Sequence, residues 1–341
     1  MTIDRTNRAA LTRPRLAAAP ESVRAAVSDL LGAPIGTERP APAGFTRSIA
    51  SVVEGGGSRL FVKAAPIGDG SGAAVAAGAA LADVVGDLGP RLVGFRTVDD
   101  WQVAAYEVVE GETVTRWTEA DLTRLLPVVA RMRDIMDPCP IGGTSPYAEA
   151  FLPLLGTWQA LARSGTSPAR NDNSPVQDDN SAARTSDSPV PVDHLRGLSL
   201  PADVPVGWLA ELESRWPDVL ADGTALHHGD LRRDNVIREP GGRLRIVDWT
   251  HLWTAPGWLD LVRLAPDLAA CGHDPETLLR RSAWRDAPDD GVNVALAGLA
   301  GRAWREGLLP EVPGLPGLRH MQREQGLHLL RWLSRRWRRS A

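Results

Sequence analysis

The sequence predicts an α+β fold with two lobes, and two observations support this prediction. Residues 44–109 contain short β-leaning runs, whereas residues from 118 onward carry apolar side chains at helical spacing. Strands followed by helices in this order usually separate into a sheet-based part and a helical part. We therefore expect an N-terminal lobe built on an antiparallel sheet, a mostly helical C-terminal lobe, and a connection near residues 107–112.

The N-terminal strands are predicted from one hairpin and two later runs. "SIASVV" and "RLFVKA" flank the turn "EGGGS", a pattern typical of a β-hairpin. An alanine-rich helix is expected at 70–82, followed by the strands "RLVGF" and "WQVAAYEVV". The stretch "WTEADLTRLLPVVARMRDIM" predicts a helix with Thr118 as its N-cap.

These elements suggest three segments: an extension at 1–40, a sheet lobe at 41–109 and a helical lobe at 110–341. Residues 164–193, "SGTSPARNDNSPVQDDNSAARTSDSPVPVD", interrupt the helical lobe and contain no aromatic residue. Such a segment buries too little apolar surface to offset the entropy lost on ordering. We therefore predict a disordered insertion there.

Composition excludes several classes of protein. The net charge of −4 over 341 residues gives no general attraction to nucleic acid or to anionic membranes. The N-terminal residues lack the apolar core of a secretory signal, and the apolar stretch 70–82 is too short to span a bilayer. Cys139 and Cys271 match no metal-ligand spacing, so we expect a reducing, cytoplasmic location.

Lysine usage identifies one position. Among 38 lysine and arginine residues, Lys63 is the single lysine. A compact ammonium group differs chemically from a planar guanidinium. Lys63, at the end of a predicted strand, is therefore a candidate for a role that arginine does not fill.

The stretch "HHGDLRRDN", beginning at His227, is followed directly by "VIREPGGRLRIVDW". The runs "VIR" and "RLRIV" predict a second hairpin, with its turn centred between Pro240 and Gly241. In that register Asn235 faces Ile246 and Asp248 faces Arg233. Asn235 and Asp248 are then diagonal neighbours, with backbones about 7–8 Å apart.

Two oxygen-bearing side chains beside a further carboxylate, Asp230, suit phosphoryl transfer. That reaction depends mainly on positioning and on neutralising the charge of the transferred group. Mg²⁺ prefers carboxylate, amide and phosphate oxygens, which Asp248 and Asn235 would complement. Asp230 would orient a hydroxyl and accept its proton.

The pattern H-G-D-L-x-x-x-N followed by I-V-D-W resembles the aminoglycoside phosphotransferase family, within the protein-kinase-like fold. The resemblance covers roughly residues 40–340, and the motifs occur in the order of that fold. It implies that Asp230 is the catalytic base, that Asn235 and Asp248 are the Mg²⁺ ligands, and that Lys63 contacts the nucleotide phosphates. It also implies a loop over the phosphates formed by Gly44, Phe45, Thr46, Arg47 and Ser48, and adenine contacts from the backbone of Glu107, Val108 and Val109. His228 would pack beneath the catalytic loop, and Asp260 in "GWLDLVRLA" would brace it.

One feature departs from the family pattern. The helix after the lysine strand normally carries a glutamate that pairs with the lysine, yet residues 70–82 contain no acidic residue. Asp69 or Asp83 could replace that glutamate, or Asp248 and the nucleotide could hold Lys63.

The resemblance implies a kinase that uses ATP, or GTP, with Mg²⁺ to phosphorylate a hydroxyl of a small molecule. Acceptors consistent with it are aminoglycosides and other amino sugars, macrolides, choline-like amino alcohols and homoserine-like amino acids. The alternative is a nucleotide-binding pseudokinase with a regulatory role. Protein phosphorylation is disfavoured because only about ten residues separate Asp248 from Asp260, too few for a long activation segment. We expect a monomer or a homodimer.

Overall fold

The computed structural model describes residues 14–41, 48–68, 70–165, 193–195, 200, 203–313, 315 and 317–340. The expectations for residues 44–47, for Asp69 and for most of the 164–193 segment lie outside these residues. The chain forms two compact units, which we describe separately. The first comprises residues 1–145, 223–287 and 311–318, and the second comprises 146–222, 288–310 and 319–341.

The strands and helices are labelled in chain order. The strands are β1 (Thr37–Pro40), β2 (Ile49–Gly55), β3 (Ser58–Pro66), β4 (Leu92–Val98), β5 (Trp101–Tyr106), β6 (Glu112–Thr113), β7 (Ser145–Pro146), β8 (Ala225–His227), β9 (Val236–Arg238), β10 (Leu244–Ile246) and β11 (Trp253–Ala255). The helices are α1 (Glu21–Leu31), α2 (Gly70–Val85), α3 (Glu119–Met136), α4 (Tyr147–Phe151), α5 (Thr157–Gly165), α6 (Val206–Ser214), α7 (Trp216–Leu220), α8 (Leu259–Ala270), α9 (Pro275–Arg281), α10 (Asp289–Gly307) and α11 (Leu318–Ser340). This combination of a sheet-rich N-terminal region and a helical C-terminal region confirms the predicted α+β fold class.

The first unit contains a five-stranded sheet in the order β1-β2-β3-β5-β4, with antiparallel neighbours throughout. The predicted β2–β3 hairpin is present, and Gly55 faces Ser58 across its turn. Gly56 and Gly57 both adopt positive φ, at 56° and 81°. Two consecutive positive φ values match the twist of a tight hairpin turn, which explains why glycines occupy it.

Two helices cover opposite faces of this sheet. α1 buries Val23 and Val27 against one face, whereas α2 buries Val75 and Ala82 against the other. Because side chains alternate along a strand, Lys63 points to the same face as Ala65, which packs with α2. In the described residues, Gly70–Leu88 is the single segment long and apolar enough to cross a membrane, and its packing on the sheet is that of a core helix.

The remaining elements of the first unit position the site. β9 pairs with β10 and β6, and β8 pairs with β11. α3 begins as predicted at Thr118, whose hydroxyl accepts the N–H of Asp121, while the Asp121 carboxylate accepts the N–H of Thr118. This reciprocal capping box satisfies N–H groups that a helix start otherwise leaves without partners.

The second unit is a group of helices around stacked tryptophans. Trp158 and Trp304 lie 5.7 Å apart between ring centroids, and Gly301 leaves room for Trp158. The buried Glu213 accepts the N–H groups of Thr157, Trp158 and Gln159 at the start of α5. Burial raises the pKa of Glu213 in spite of these hydrogen bonds.

Candidate active site

The loop between β8 and β9 contains the H-G-D motif, and its glycine is required for two reasons. Gly229 has a φ of 79°, which favours glycine. A Cβ atom there would also lie 2.9 Å from Cε3 of Trp253 and 3.1 Å from Nδ1 of His251. The loop backbone therefore lies directly against these two rings.

Asp260, on α8, holds the backbone of this loop. Its carboxylate accepts the N–H of His228 at 2.9 Å and that of Gly229 at 3.1 Å. His227 Nδ1 lies 3.0 Å from the same carboxylate. Burial alone would raise the pKa of Asp260, but the His227 charge and hydrogen bond, together with His228, outweigh burial and lower it to about 2. Asp260 is therefore ionised at neutral pH, although only 3% of it is exposed.

His228 links the loop to the strand that precedes Asp248. Its Nδ1 accepts the N–H of Asp230 at 3.2 Å, and its Nε2 lies 3.1 Å from the carbonyl oxygen of Val247. This pairing requires a neutral ring with the proton on Nε2. Burial lowers the pKa of His228, which favours the same state. His228 thus lies beneath the loop and contacts its backbone.

Asn235 closes the loop back onto Asp230. Its Nδ2 donates to the Asp230 carbonyl oxygen at 2.8 Å and to the Asp230 carboxylate at 3.3 Å. Both donations use the amide nitrogen, so the amide oxygen is the atom with which this side chain would bind a cation.

The hairpin that follows differs from the predicted register by one residue. Ile246 faces Val236 rather than Asn235, and the Val247 N–H donates to the Asn235 carbonyl oxygen. The prediction was wrong because the turn contains one more residue than expected. Glu239 pairs with Arg243 across Pro240, Gly241 and Gly242, and Gly242 adopts a φ of 80°. A turn followed by a left-handed glycine is the usual three-residue hairpin connection.

Asp248 follows the end of β10 and does not continue the strand. Its φ of 67° lies in the left-handed region, which is uncommon for a residue other than glycine. The Asp248 carboxylate forms an ion pair and hydrogen bond with Lys63 Nζ. Lys63 lies in β3 between Ala50 of β2 and Ala104 of β5. The lysine and the metal-ligand candidate are therefore brought together.

Gly78 marks a close contact between α2 and the segment after Asp248. A Cβ atom at Gly78 would lie 2.6 Å from the Trp249 carbonyl oxygen and 3.1 Å from the Tyr106 hydroxyl. The helix contacts the segment after Asp248 so closely that no side chain fits there. Asp83 is exposed, and Lys63 pairs with Asp248. Of the open alternatives, the structure shows the Lys63–Asp248 pair.

The segment proposed to contact adenine begins beside a buried tyrosine. Burial, and then the charge of Asp248, raise the pKa of Tyr106. The Glu107 N–H donates to the Arg91 carbonyl oxygen, and the Glu107 carboxylate accepts from Arg245 at 2.7 Å. Burial alone would raise the pKa of Glu107, but the Arg91 N–H and Arg245 outweigh it and lower the pKa. The N–H of Glu107 is thus already used, which leaves its carbonyl and the backbone of Val108 and Val109 for a ligand. Ser48 is the one residue of the predicted phosphate loop that is described, and it is buried.

Sequence reasoning missed two arginines beside Asp230. Arg232 Nε lies 3.5 Å and Arg263 Nη2 lies 3.8 Å from the same carboxylate oxygen, Oδ1. Spacing on α8 could have identified Arg263. Residues three and seven positions after Asp260 share its helix face, and Asp267 likewise reaches the loop, where it accepts the Arg233 N–H at 2.7 Å.

The donor set fits a hard divalent cation. Within the described part of the chain, no group of three His, Cys, Asp or Glu side chains forms a metal site. Asp248 would contribute a carboxylate and Asn235 an amide oxygen to a cation bound here. Mg²⁺ at phosphate-transfer sites commonly takes one or two such protein ligands, with the rest from substrate phosphates and water.

Solved structures with a similar fold are small-molecule kinases. Spectinomycin phosphotransferase APH(9)-Ia, in complex with ADP and spectinomycin, superposes with a TM-score of 0.56 at 11% identity, covering 92% of this chain and 96% of that one. An aminoglycoside phosphotransferase from Alicyclobacillus acidocaldarius gives 0.55 at 16% identity, over 89% and 92%. The choline kinase LicA from Streptococcus pneumoniae gives 0.52 at 14% identity, over 90% and 97%. At these identities the similarity establishes the protein-kinase-like fold.

The sequence itself identifies the family. Residues 37–309 match the model of the phosphotransferase enzyme family, APH, and this chain belongs to that family. No curated protein matches the sequence significantly. The family confirms the predicted resemblance and makes the protein a phosphotransferase.

Proposed function

We propose that the protein transfers the γ-phosphoryl group of ATP to a hydroxyl of a small molecule, with Mg²⁺ as cofactor. The observation that carries the proposal is that Asn235 donates to Asp230, that Lys63 pairs with Asp248, and that His228 connects these two pairs. His228 accepts the Asp230 N–H and bonds the Val247 carbonyl oxygen next to Asp248. A carboxylate, two hard oxygen ligands and an ammonium group are what phosphoryl transfer requires.

Each residue would have a distinct task. Asp230 would orient the acceptor hydroxyl and receive its proton as the new oxygen–phosphorus bond forms and the bond to the β–γ bridging oxygen breaks, releasing ADP. Asn235 and Asp248 would hold Mg²⁺, and Lys63 would contact the nucleotide phosphates. When bound, Mg²⁺ supplies neutralisation of the phosphate charge. Asp260 and His228 would keep the loop in place.

The choice of ATP rests on the fold relatives. Spectinomycin phosphotransferase carries ADP in its complex, and its fold is similar to that of this chain. GTP carries the same phosphates that the named residues would contact, so these residues do not distinguish ATP from GTP. Amino sugars, macrolides, amino alcohols and amino acids with a hydroxyl group are the acceptor classes to test first.

A pseudokinase is the second candidate, and one observation favours it. α2 contains no glutamate that could orient Lys63. A pseudokinase would bind nucleotide and gain thermal stability without forming product on any acceptor.

The test is ATP consumption over an acceptor panel, with wild type compared to Asp230→Asn. Loss of a general base is expected to lower kcat by about 10²–10⁴-fold. Asp134→Asn, an exposed change on α3, is the matched control and should behave as wild type. Equal turnover by wild type and Asp230→Asn would refute the role of Asp230, and nucleotide binding without any product would favour the pseudokinase.

A location and an assembly state are proposed as well. We propose a cytoplasmic protein, in keeping with the free thiols of Cys139 and Cys271. We propose a monomer or homodimer that acts on small molecules rather than on nucleic acid or membranes.

A further inference from the structure

The segment proposed to contact the nucleotide base has unpaired backbone groups. The Glu107 N–H donates to the Arg91 carbonyl oxygen at 2.9 Å. Val108 and Val109, which follow directly, are half-buried. Within the described residues, their N–H and carbonyl groups have no hydrogen-bond partner. Because backbone groups away from the surface are nearly always paired, these are groups that a ligand or water would satisfy.

One arginine holds this segment through the side chain of Glu107. Arg245 Nη2 donates to Glu107 Oε1 at 2.7 Å and to the Gly89 carbonyl oxygen at 2.5 Å. Arg245 Nη1 also lies 3.7 Å from Oε1 of Glu239. The Arg91 N–H donates to the same Glu107 oxygen at 3.1 Å. Gly89 precedes β4, Glu107 follows β5 and Arg245 lies in β10, so Arg245 bonds the start of the segment to the β9–β10 hairpin.

This contact is poorly suited to a purely stabilising role. The Arg245 side chain is 11% exposed, and its Nε is buried without a partner among the residues that the structure describes. A buried guanidinium loses hydration, and an unpaired buried N–H adds to that loss. The Glu107 side chain is 33% exposed, so water screens its charge in part. Desolvation therefore offsets much of the attraction, and what the pair supplies is a fixed geometry.

We propose that Arg245 is a positioning residue for the nucleotide base. It holds the Glu107 carboxylate and thereby keeps the backbone of residues 107–109 in the conformation that binds the base. Without this contact the segment would become ordered only when the nucleotide binds, and the entropy lost on ordering would weaken binding. The proposal rests on the proposed function and deepens it, because base binding would depend on a side chain in addition to those assigned to phosphate and metal.

Two ligands separate the base from the phosphates. ATP and tripolyphosphate both contain a chain of three phosphates, but only ATP has a base. Each is titrated into the whole chain with Mg²⁺, and its affinity is measured by calorimetry, or by competition against ATP where binding is weak. Wild type should bind ATP at least about tenfold more tightly than tripolyphosphate. Arg245→Gln should weaken ATP binding about tenfold and change tripolyphosphate binding by less than about twofold.

Matched variants separate positioning from folding. Glu107→Gln keeps the backbone groups and a side-chain oxygen but removes the charge that Arg245 contacts, so it should give a smaller loss, again for ATP alone. Arg245→Gln combined with Glu107→Gln should bind ATP no more weakly than Arg245→Gln, because both changes remove one contact. Arg243→Gln, an exposed change on the same hairpin, should match wild type. If Arg245→Gln does not fold, Glu107→Gln provides the test.

The outcomes are distinct. An equal loss for ATP and tripolyphosphate in Arg245→Gln would overturn the proposal, because Arg245 would then support the whole site. An unchanged ATP affinity, or additive losses in the double variant, would overturn it too. These results leave the proposed kinase function intact, since wild type still binds ATP. Failure of wild type to bind ATP with Mg²⁺ would overturn the proposed function and this proposal together.

Discussion

The two sides of the candidate site are held in different ways. On one side, a single face of α8 carries Asp260 and Asp267, which accept N–H groups of the catalytic loop at His228, Gly229 and Arg233. On the other side, within the described residues, Lys63 Nζ has one side-chain partner, the Asp248 carboxylate. The loop is fixed by several bonds to buried groups, whereas the lysine depends on one contact.

Burial determines what this difference means. Asp260 is 3% exposed, and its loss would leave buried N–H groups without an acceptor, which is costly. The Asp248 side chain is 41% exposed and that of Lys63 is 16% exposed, so water screens the pair in part. The loop is therefore part of the folded core, and the lysine is free to exchange its partner for a ligand at little cost.

The largest expected effect is on Asp260. Asp260→Asn should lower the free energy of unfolding by about 3 kcal/mol, since it removes a buried carboxylate that accepts the loop N–H groups and contacts His227. Chemical denaturation measures this change. Asp134→Asn should stay within about 0.5 kcal/mol of wild type. If Asp260→Asn were equally mild, the loop would not depend on the Asp260 carboxylate.

The pH dependence of stability gives the next effect. The pKa of Asp260 is about 2 in the folded protein, below its ordinary value of 3.8. A lowered folded-state pKa means that its stabilisation is complete above about pH 4 and is lost as the pH falls toward 2, by about 2 kcal/mol. Comparing wild type with Asp260→Asn over this range isolates the contribution, because the variant should lack it. Parallel curves for the two proteins would contradict the assignment.

Local sequence signals predicted the turns, caps and motifs of the site better than the contacts between its elements. The β2–β3 hairpin, the Thr118 cap and the order of Lys63, Asp230 and Asp248 follow from turn chemistry, capping and motif spacing. The β9–β10 register was wrong because it depends on one positive φ, at Gly242, within the run "EPGG". A choice between a two-residue and a three-residue turn in that run is not decided by composition.

Contacts between distant segments were the harder part. The left-handed conformation of Asp248 and the approach of α2 at Gly78 depend on packing between residues far apart in sequence. Gly78 lies within the predicted alanine-rich helix, and it is the point where that helix meets Trp249. Arg263 was predictable in principle, since it lies one turn after Asp260 on α8.

Gly78→Ala tests the packing of α2 on the side of the site that carries Lys63, and it changes no charge. Alanine favours a helix by about 0.5–1 kcal/mol over glycine, but overpacking against the Trp249 carbonyl should cost about 1–3 kcal/mol. We expect a net destabilisation of about 1–2 kcal/mol by thermal or chemical denaturation. Gly70→Ala, where a Cβ meets nothing within 4 Å, is the control. A stabilised Gly78→Ala would show that α2 can move away from the site.

The smallest effect on stability, and the most informative, is expected for Lys63→Arg. The screened pair with Asp248 should contribute less than about 1 kcal/mol to folding, and a guanidinium preserves the charge. Nucleotide affinity should nevertheless fall about tenfold, because the planar fork does not reproduce a compact ammonium between phosphates. Calorimetric titration with ATP and Mg²⁺ measures this loss, with Arg243→Gln, an exposed residue that pairs with Asp87, as the control. A large loss of stability with unchanged nucleotide affinity would contradict this comparison. It would show that Lys63 belongs to the folded core and that the single lysine of the chain has a structural role.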